Sequence, residues 1–162
     1  MLEIIISRAK KIKLPIIVCT TKEKYDDKIV KIAKKNKVFV FRGNTYNKFF
    51  RWRDCFNKFN IDVAAMIDGD DPLFDYNLYE KAIHELQNSK FEFFYNPKNI
   101  VTGLFTNVFK KSAIIKTIKN QKLKQNTDTD ISQEFLNKSD IYKKKINLNN
   151  YQKKRKIRLT ID

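Results

Sequence analysis

Three short apolar runs, each followed by a segment with helical spacing, constrain this chain more than any other feature. Residues 15–19 (PIIVC), 38–41 (VFVF) and 62–67 (DVAAMI) are continuous rather than alternating. That is the pattern of strands covered on both faces. Between the first two, Ile29, Val30, Ile32 and Ala33 supply the buried side of a helix. Asp26 and Asp27 stand at its start, where carboxylates favour the positive end of the dipole. Between the second and third, Phe49, Trp52, Cys55, Phe56 and Phe59 mark another helix with a bulky apolar face, a stripe that suits a core better than a platform for bases. Leu2, Ile5, Ile6, Ala9 and Ile12 predict an amphipathic helix over 2–12. A further helix is expected over about 75–87 with Asp75 as N-cap. Strands follow at 91–95 and 104–109, then helices near 111–119 and 129–137. Residues 120–128 and 138–150 read as Lys/Asn-rich connections, and residues 157–161 as a closing strand. Strands alternating with helices predict right-handed crossovers and an α/β fold with a mostly parallel sheet. The first element is a helix, where a doubly wound sheet usually opens with a central strand and its ligand loop.

A chain of 162 residues with 42% hydrophobic content fits one domain and can bury a core. No apolar run approaches the roughly 18–20 residues that span a bilayer. No basic segment, apolar core and cleavage site open the chain, so a cytoplasmic location is expected. Cys19 and Cys55 cannot build a disulfide scaffold, and with one histidine they offer no metal-site spacing. His84 falls on a helix face and reads as structural or solvent-facing.

The formal charge of +16 suggests a polyanion partner. The excess is lysine, 28 residues against 6 arginines, whereas groove readers lean on arginine forks. Lys, Asn, Ile, Phe and Tyr are abundant together, the residues of A- and T-rich codons. Genome composition therefore accounts for the charge better than nucleic-acid binding does. The dense run at residues 153–156 reads as a solvated strand edge.

The run AAMIDGDDPLFD carries the chemistry. Apolar residues feed a strand into Asp68, Asp70 and Asp71, and open α/β sheets bind ligands at the carboxyl ends of strands. Gly69 is expected to supply backbone freedom and Pro72 to stiffen the exit. Hard carboxylate oxygens suit Mg²⁺, which takes one or two of them with waters and substrate phosphates. The same residues also suit a turn whose aspartates only cap the next helix.

Around this run stand Arg42-Gly43, Arg51, and Gly69-Asp70-Asp71-Pro72-Leu73-Phe74-Asp75, in that order. The chain closes on Arg158-Leu159-Thr160-Ile161-Asp162. This arrangement resembles the cytidylyltransferases that activate acidic sugars, in particular the branch named for spore coat polysaccharide biosynthesis, alongside the acylneuraminate type. The resemblance is strong over 14–83, weak over 90–150, and returns at 156–162. It implies a Rossmann-like three-layer nucleotidyltransferase sheet and transfer of CMP from CTP to an acidic or related sugar, with release of pyrophosphate. It implies Asp70 and Asp162 as Mg²⁺ ligands, and Asp70 and Arg51 in catalysis. Arg42, Thr20, Thr21 and Asp71 are implied to contact substrate. For Arg51, substrate contact and packing against carboxylates are equally open, and packing against carboxylates is also the alternative for Arg42. The family's first strand and its glycine-rich, basic phosphate loop have no counterpart here, which implies an N-terminally truncated chain that binds CTP poorly. The family's Glu-His pair is also missing; Asp130 to Phe135 loosely takes its place. A homodimer is expected from the same resemblance. Two other readings stand beside it: a degenerate, non-catalytic subunit or binding module, and a basic nucleic-acid binder.

Overall fold

The computed structural model describes residues 1–153 and 157–161. Among the described residues six helices and six strands follow in this order: α1 (Leu2–Ala9), β1 (Ile17–Thr21), α2 (Asp27–Lys35), β2 (Phe39–Gly43), α3 (Lys48–Phe59), β3 (Val63–Met66), α4 (Tyr76–Gln87), β4 (Phe93–Tyr95), β5 (Asn107–Lys110), α5 (Lys111–Asn120), α6 (Ser132–Lys138) and β6 (Lys143–Lys145). Single 3-10 turns at Lys10–Ile12, Lys24–Asp26 and Asn150–Gln152 trim the connections.

The strands form two sheets. β1 and β2 pair in parallel; the second sheet runs β3-β5-β4-β6. In it, β5 is antiparallel to both β3 and β4, and β6 is parallel to β4. The expected mostly parallel sheet is therefore corrected to a mixed one. The physical reason lies between β4 and β5. That connection holds no helix, so β5 enters beside β4 without the crossover that a parallel return requires. In the sequence β6 falls within the expected connection at 138–150, because three half-exposed or exposed lysines carry no hydrophobic signal. Its backbone pairing with β4 alone defines it. The expected closing strand over 157–161 is also corrected: Arg158 makes one isolated bridge to Thr102. The basic run at 153–156 lies, apart from the exposed Lys153, outside the described residues.

Alternation along each strand builds two cores. Val63 and Ala65 of β3, Phe94 of β4 and Val108 of β5 face α1 and α4. Ala64 and Met66, Phe93, and Phe109 face α3, α5 and α6. Helices thus cover both faces of the second sheet. The aromatic stripe of α3 is core: Trp52 and Phe56 pack on Phe109 with ring centres 5.3 and 5.9 Å apart.

Local chemistry sets the helix starts. The Asn47 side chain accepts from the N–H groups of Phe49 and Phe50 at 3.0 and 3.2 Å, opening α3. Asp75 caps α4 in the same way through Asn77 and Leu78. Asp26 turns inward instead of capping α2. Gly43 is required by crowding: a Cβ there would lie 2.7 Å from the Phe41 ring and 2.8 Å from Arg51 Cγ. Among the described residues no helix is long and apolar enough to cross a membrane.

Candidate active site

The loop leaving β3 is built by a lash from the neighbouring helix. Tyr79, in the first turn of α4, donates its hydroxyl to the Met66 carbonyl at 2.6 Å. The same oxygen accepts the Thr106 backbone N–H at 2.8 Å. Burial raises the phenol's pKa well above its ordinary value, so the hydroxyl stays a donor. The end of β3 is thereby tied to the residue preceding β5. Thr106 in turn presents Oγ1 to Asp68 at 3.1 Å and to Asp71 at 3.4 Å. One hydroxyl proton thus faces two carboxylates.

The electrostatics follow from that crowding. Asp71 is 7% exposed. Burial first, then the charges of Asp68 and Asp70, push its carboxyl up to about 6, against the Thr106 hydrogen bond and the Arg158 charge. Asp68 opens onto a concave cleft whose walls strip part of its hydration. Its carboxyl is raised above the usual range for that reason, with Thr106 and Lys48 opposing and Asp70 and Asp130 adding. Asp70 is exposed at the rim. Gly69 has no positive φ, and a Cβ built on it meets nothing within 4 Å. A side chain would fit there, so the expected need for backbone freedom at Gly69 is corrected.

Cations arrive from distant parts of the chain. Lys48, at the start of α3, bonds Asp130 through both carboxylate and carbonyl, at 2.7 and 2.8 Å, and its charge reaches Asp68. That contact holds the Asp130 carboxyl below its ordinary range. Arg158 comes in on the terminal segment. Gly103, at φ +89°, lets that segment pass, since a Cβ there would lie 2.8 Å from the Leu159 carbonyl carbon. The Ile161 N–H then donates to the Asp70 carbonyl at 2.9 Å. Asp162, the second expected Mg²⁺ ligand, lies outside the described residues.

The remaining expected residues occupy a different setting. Thr20 and Thr21 belong to β1, and both hydroxyls donate to Asp26 Oδ2, Thr20 at 2.6 Å, with the Thr21 N–H at 2.9 Å. Burial would raise the Asp26 carboxyl, but these hydrogen bonds and the Arg42 charge outweigh it and hold it low. Arg42 is spent on the Asp27 carboxylate at 2.6 Å and on the Thr21 and Glu23 carbonyls at 2.9 and 2.7 Å. Arg51 is 9% exposed and donates to the Asn44 carbonyl at 2.8 Å, and its Nε has no partner. His84 is exposed, as expected.

Sequence reasoning misses Thr106, Tyr79 and Lys48, which carry no motif; the pairing of β3 with β5 brings Thr106 to the loop, and α4 and α3 bring Tyr79 and Lys48. Among the described residues no three His, Cys, Asp or Glu side chains gather as a metal cage. Mg²⁺ does not require one, since it takes one or two carboxylates with waters and substrate phosphates. The hard oxygens of Asp68, Asp70 and Asp71 suit that donor set, because a cation would offset both the burial and the neighbouring negative charge that raise Asp68 and Asp71.

Comparison with known proteins agrees with this architecture. The family model described as cytidylyltransferase matches residues 1–162. An uncharacterised protein of Methanocaldococcus jannaschii is 34% identical over 163 residues, 99% of this chain and 67% of that protein. A cytidylyltransferase structure from Leptospira borgpetersenii is 29% identical with a TM-score of 0.84, covering 99% of this chain and 69% of its own. The 4-diphosphocytidyl-2C-methyl-D-erythritol synthase of Anaerococcus prevotii, 19% identical, shares the fold with a TM-score of 0.61 over 93% of this chain and 78% of its own. With its whole length matched by the family model, the chain belongs to the cytidylyltransferase family.

Proposed function

We propose that this chain serves transfer of CMP from CTP to a hydroxyl of an acidic or related sugar, for surface polysaccharide synthesis. The sugar oxygen bonds to the α-phosphorus, the bond to the β-phosphate oxygen breaks, and pyrophosphate leaves. The observation that supports this reading is the carboxylate group at the end of β3, braced by Thr106 and bordered by Lys48, in a chain of this family. Asp70 and Asp162 would hold Mg²⁺, which neutralises phosphate charge as it develops. The chain's own part is orientation. Tyr79 and Thr106 hold the carboxylates in place before substrate arrives, so little reorganisation is left for the reaction itself. Arg158 and Lys48 offset negative charge beside them.

The three glycines, Gly43, Gly69 and Gly103, stand far apart in the sequence and form no glycine-rich loop. The test is Mg²⁺-dependent pyrophosphate release from CTP against a panel of acidic and amino sugars. It compares the 162 residues with a form extended at the N-terminus by a strand and a glycine-rich basic loop. Turnover with CTP and an acidic sugar, greater in the extended form, is the expected result. Turnover with UTP or ATP but not CTP, or none in either form with any sugar, overturns the reading.

A further inference from the structure

The acidic loop is tied at two points to one distant segment. Near its start, the Ile161 N–H donates to the Asp70 carbonyl at 2.9 Å. At its exit into α4, Gln152 Nε2 donates to Asp75 Oδ2 at 2.7 Å, across 77 residues of chain. Residues 100–104 stand between the two partners. The Val101 N–H donates to the Gln152 carbonyl at 2.9 Å, and the Leu159 N–H to the Thr102 carbonyl at 3.0 Å. From the other side, the Asp75 N–H donates to the Leu104 carbonyl at 2.9 Å. The same segment carries Arg158, whose charge acts on Asp71.

Gln152 is the side-chain tie in this arrangement. It is 2% exposed, where glutamine is rarely found. Both ends of its amide are committed. Oε1 accepts the Asn149 N–H at 2.8 Å, so its own turn pins the carbonyl end. Nε2 therefore faces Asp75, and its other proton reaches Tyr151 Oη at 3.3 Å. Asp75 is as fully engaged. Its Oδ1 accepts the Asn77 and Leu78 N–H groups to cap α4, and Oδ2 is left for Gln152. The polarity of the pair is thus fixed from both sides: Gln152 must donate and Asp75 must accept. A side chain that only filled space would need neither.

We propose that Gln152 is a positioning residue of the candidate site: through Asp75 it sets where the segment carrying Arg158 and Asp162 lies against Asp70 and Asp71. It acts through that pair rather than by contact with substrate. Its consequence for Mg²⁺ rests on the proposed function, in which Asp70 and Asp162 share the ion; the placement of the segment does not. A loosened segment spreads the two carboxylates over more arrangements, and Mg²⁺, which demands near-octahedral geometry, is then held less tightly.

The test is an exchange of the two partners' chemistry in four proteins: wild type, Gln152→Glu, Asp75→Asn and the double variant. It is run at about pH 8, which disfavours a proton shared between two carboxyls. Gln152→Glu sets two carboxylates face to face. Asp75→Asn sets two donors face to face, adds no charge and keeps the α4 cap, since asparagine caps as aspartate does. The double variant restores the hydrogen bond with its direction reversed, and the Asn149 N–H keeps its acceptor. The first readout is amide hydrogen exchange of Val101, Leu159 and Ile161, with core amides of β5 and α5 as the control for folding. Each single variant should exchange at least about tenfold faster at the three amides with core protection unchanged, and the double variant within about threefold of wild type. The second readout is the half-saturating Mg²⁺ concentration in pyrophosphate release from CTP. It should rise at least about threefold in each single variant and return in the double, whereas partial unfolding lowers the rate without moving it. Exchange unchanged in both single variants, or not restored in the double, overturns the inference. So does turnover whose Mg²⁺ requirement is the same in all four proteins. Exchange that follows the expected pattern with no turnover in any of the four supports the placement by Gln152 and overturns the proposed function instead.

Discussion

Asp26 shows how much a single side chain can hold. Three donors from β1 converge on one of its oxygens, and Arg42 stands nearby. Asp26→Ala strands those donors in a buried site and should cost about 2 kcal/mol, read as a lower melting temperature. The sign with pH is definite. The folded carboxyl of Asp26 lies below its ordinary value, about 3.9 in an unfolded chain. Its stabilisation is complete above that pH and is lost as pH falls through the depressed folded value. The melting-temperature gap between wild type and Asp26→Asn should therefore be widest near pH 7 and shrink toward pH 3. A gap that stays constant contradicts the assignment. Tyr79→Phe removes the tie between Met66 and Thr106. It should cost about 1–2 kcal/mol and lower kcat more than it raises KM for CTP, because Thr106 loses its place beside Asp68 and Asp71.

Elements were legible where burial was local. PIIVC, VFVF and DVAAMI each correspond to a strand, because strands covered on both faces need continuous apolar runs. Their limits shift: β1 takes in Thr20 and Thr21, and β2 takes in Arg42 and Gly43, since pairing of β1 with β2 extends over those residues. β6 was invisible because three lysines look like a loop until β4 pairs with them. Strand direction was partly legible: two strands in succession, with no helix between them, permit an antiparallel return, whereas the entry of β5 between β3 and β4 is encoded by no local pattern. Two predictions belong here. Asn47→Ala removes the cap of α3 and should cost about 1 kcal/mol in chemical denaturation. Gly43→Ala drives a methyl against Phe41 and Arg51 and should cost about 1–3 kcal/mol.

At the scale of the whole molecule, the candidate site is a meeting of distant segments. Asp68, Asp70 and Asp71 were readable as an acidic loop at a strand end. Their partners were not, because Thr106 lies 38 residues from Asp68 and 35 from Asp71 along the chain. Lys48 and Arg158 lie 110 residues apart along it. The central claim is that the exposed carboxylate of Asp70 works with a divalent cation on the triphosphate. It is tested most directly by Asp70→Asn in the pyrophosphate-release assay, with the melting temperature as a control for folding. The variant should keep its melting temperature and lose turnover at least about a hundredfold, as removal of a charge-stabilising group at a reacting centre does. Turnover within twofold of wild type, or wild-type turnover unchanged when Mg²⁺ is chelated, would contradict it.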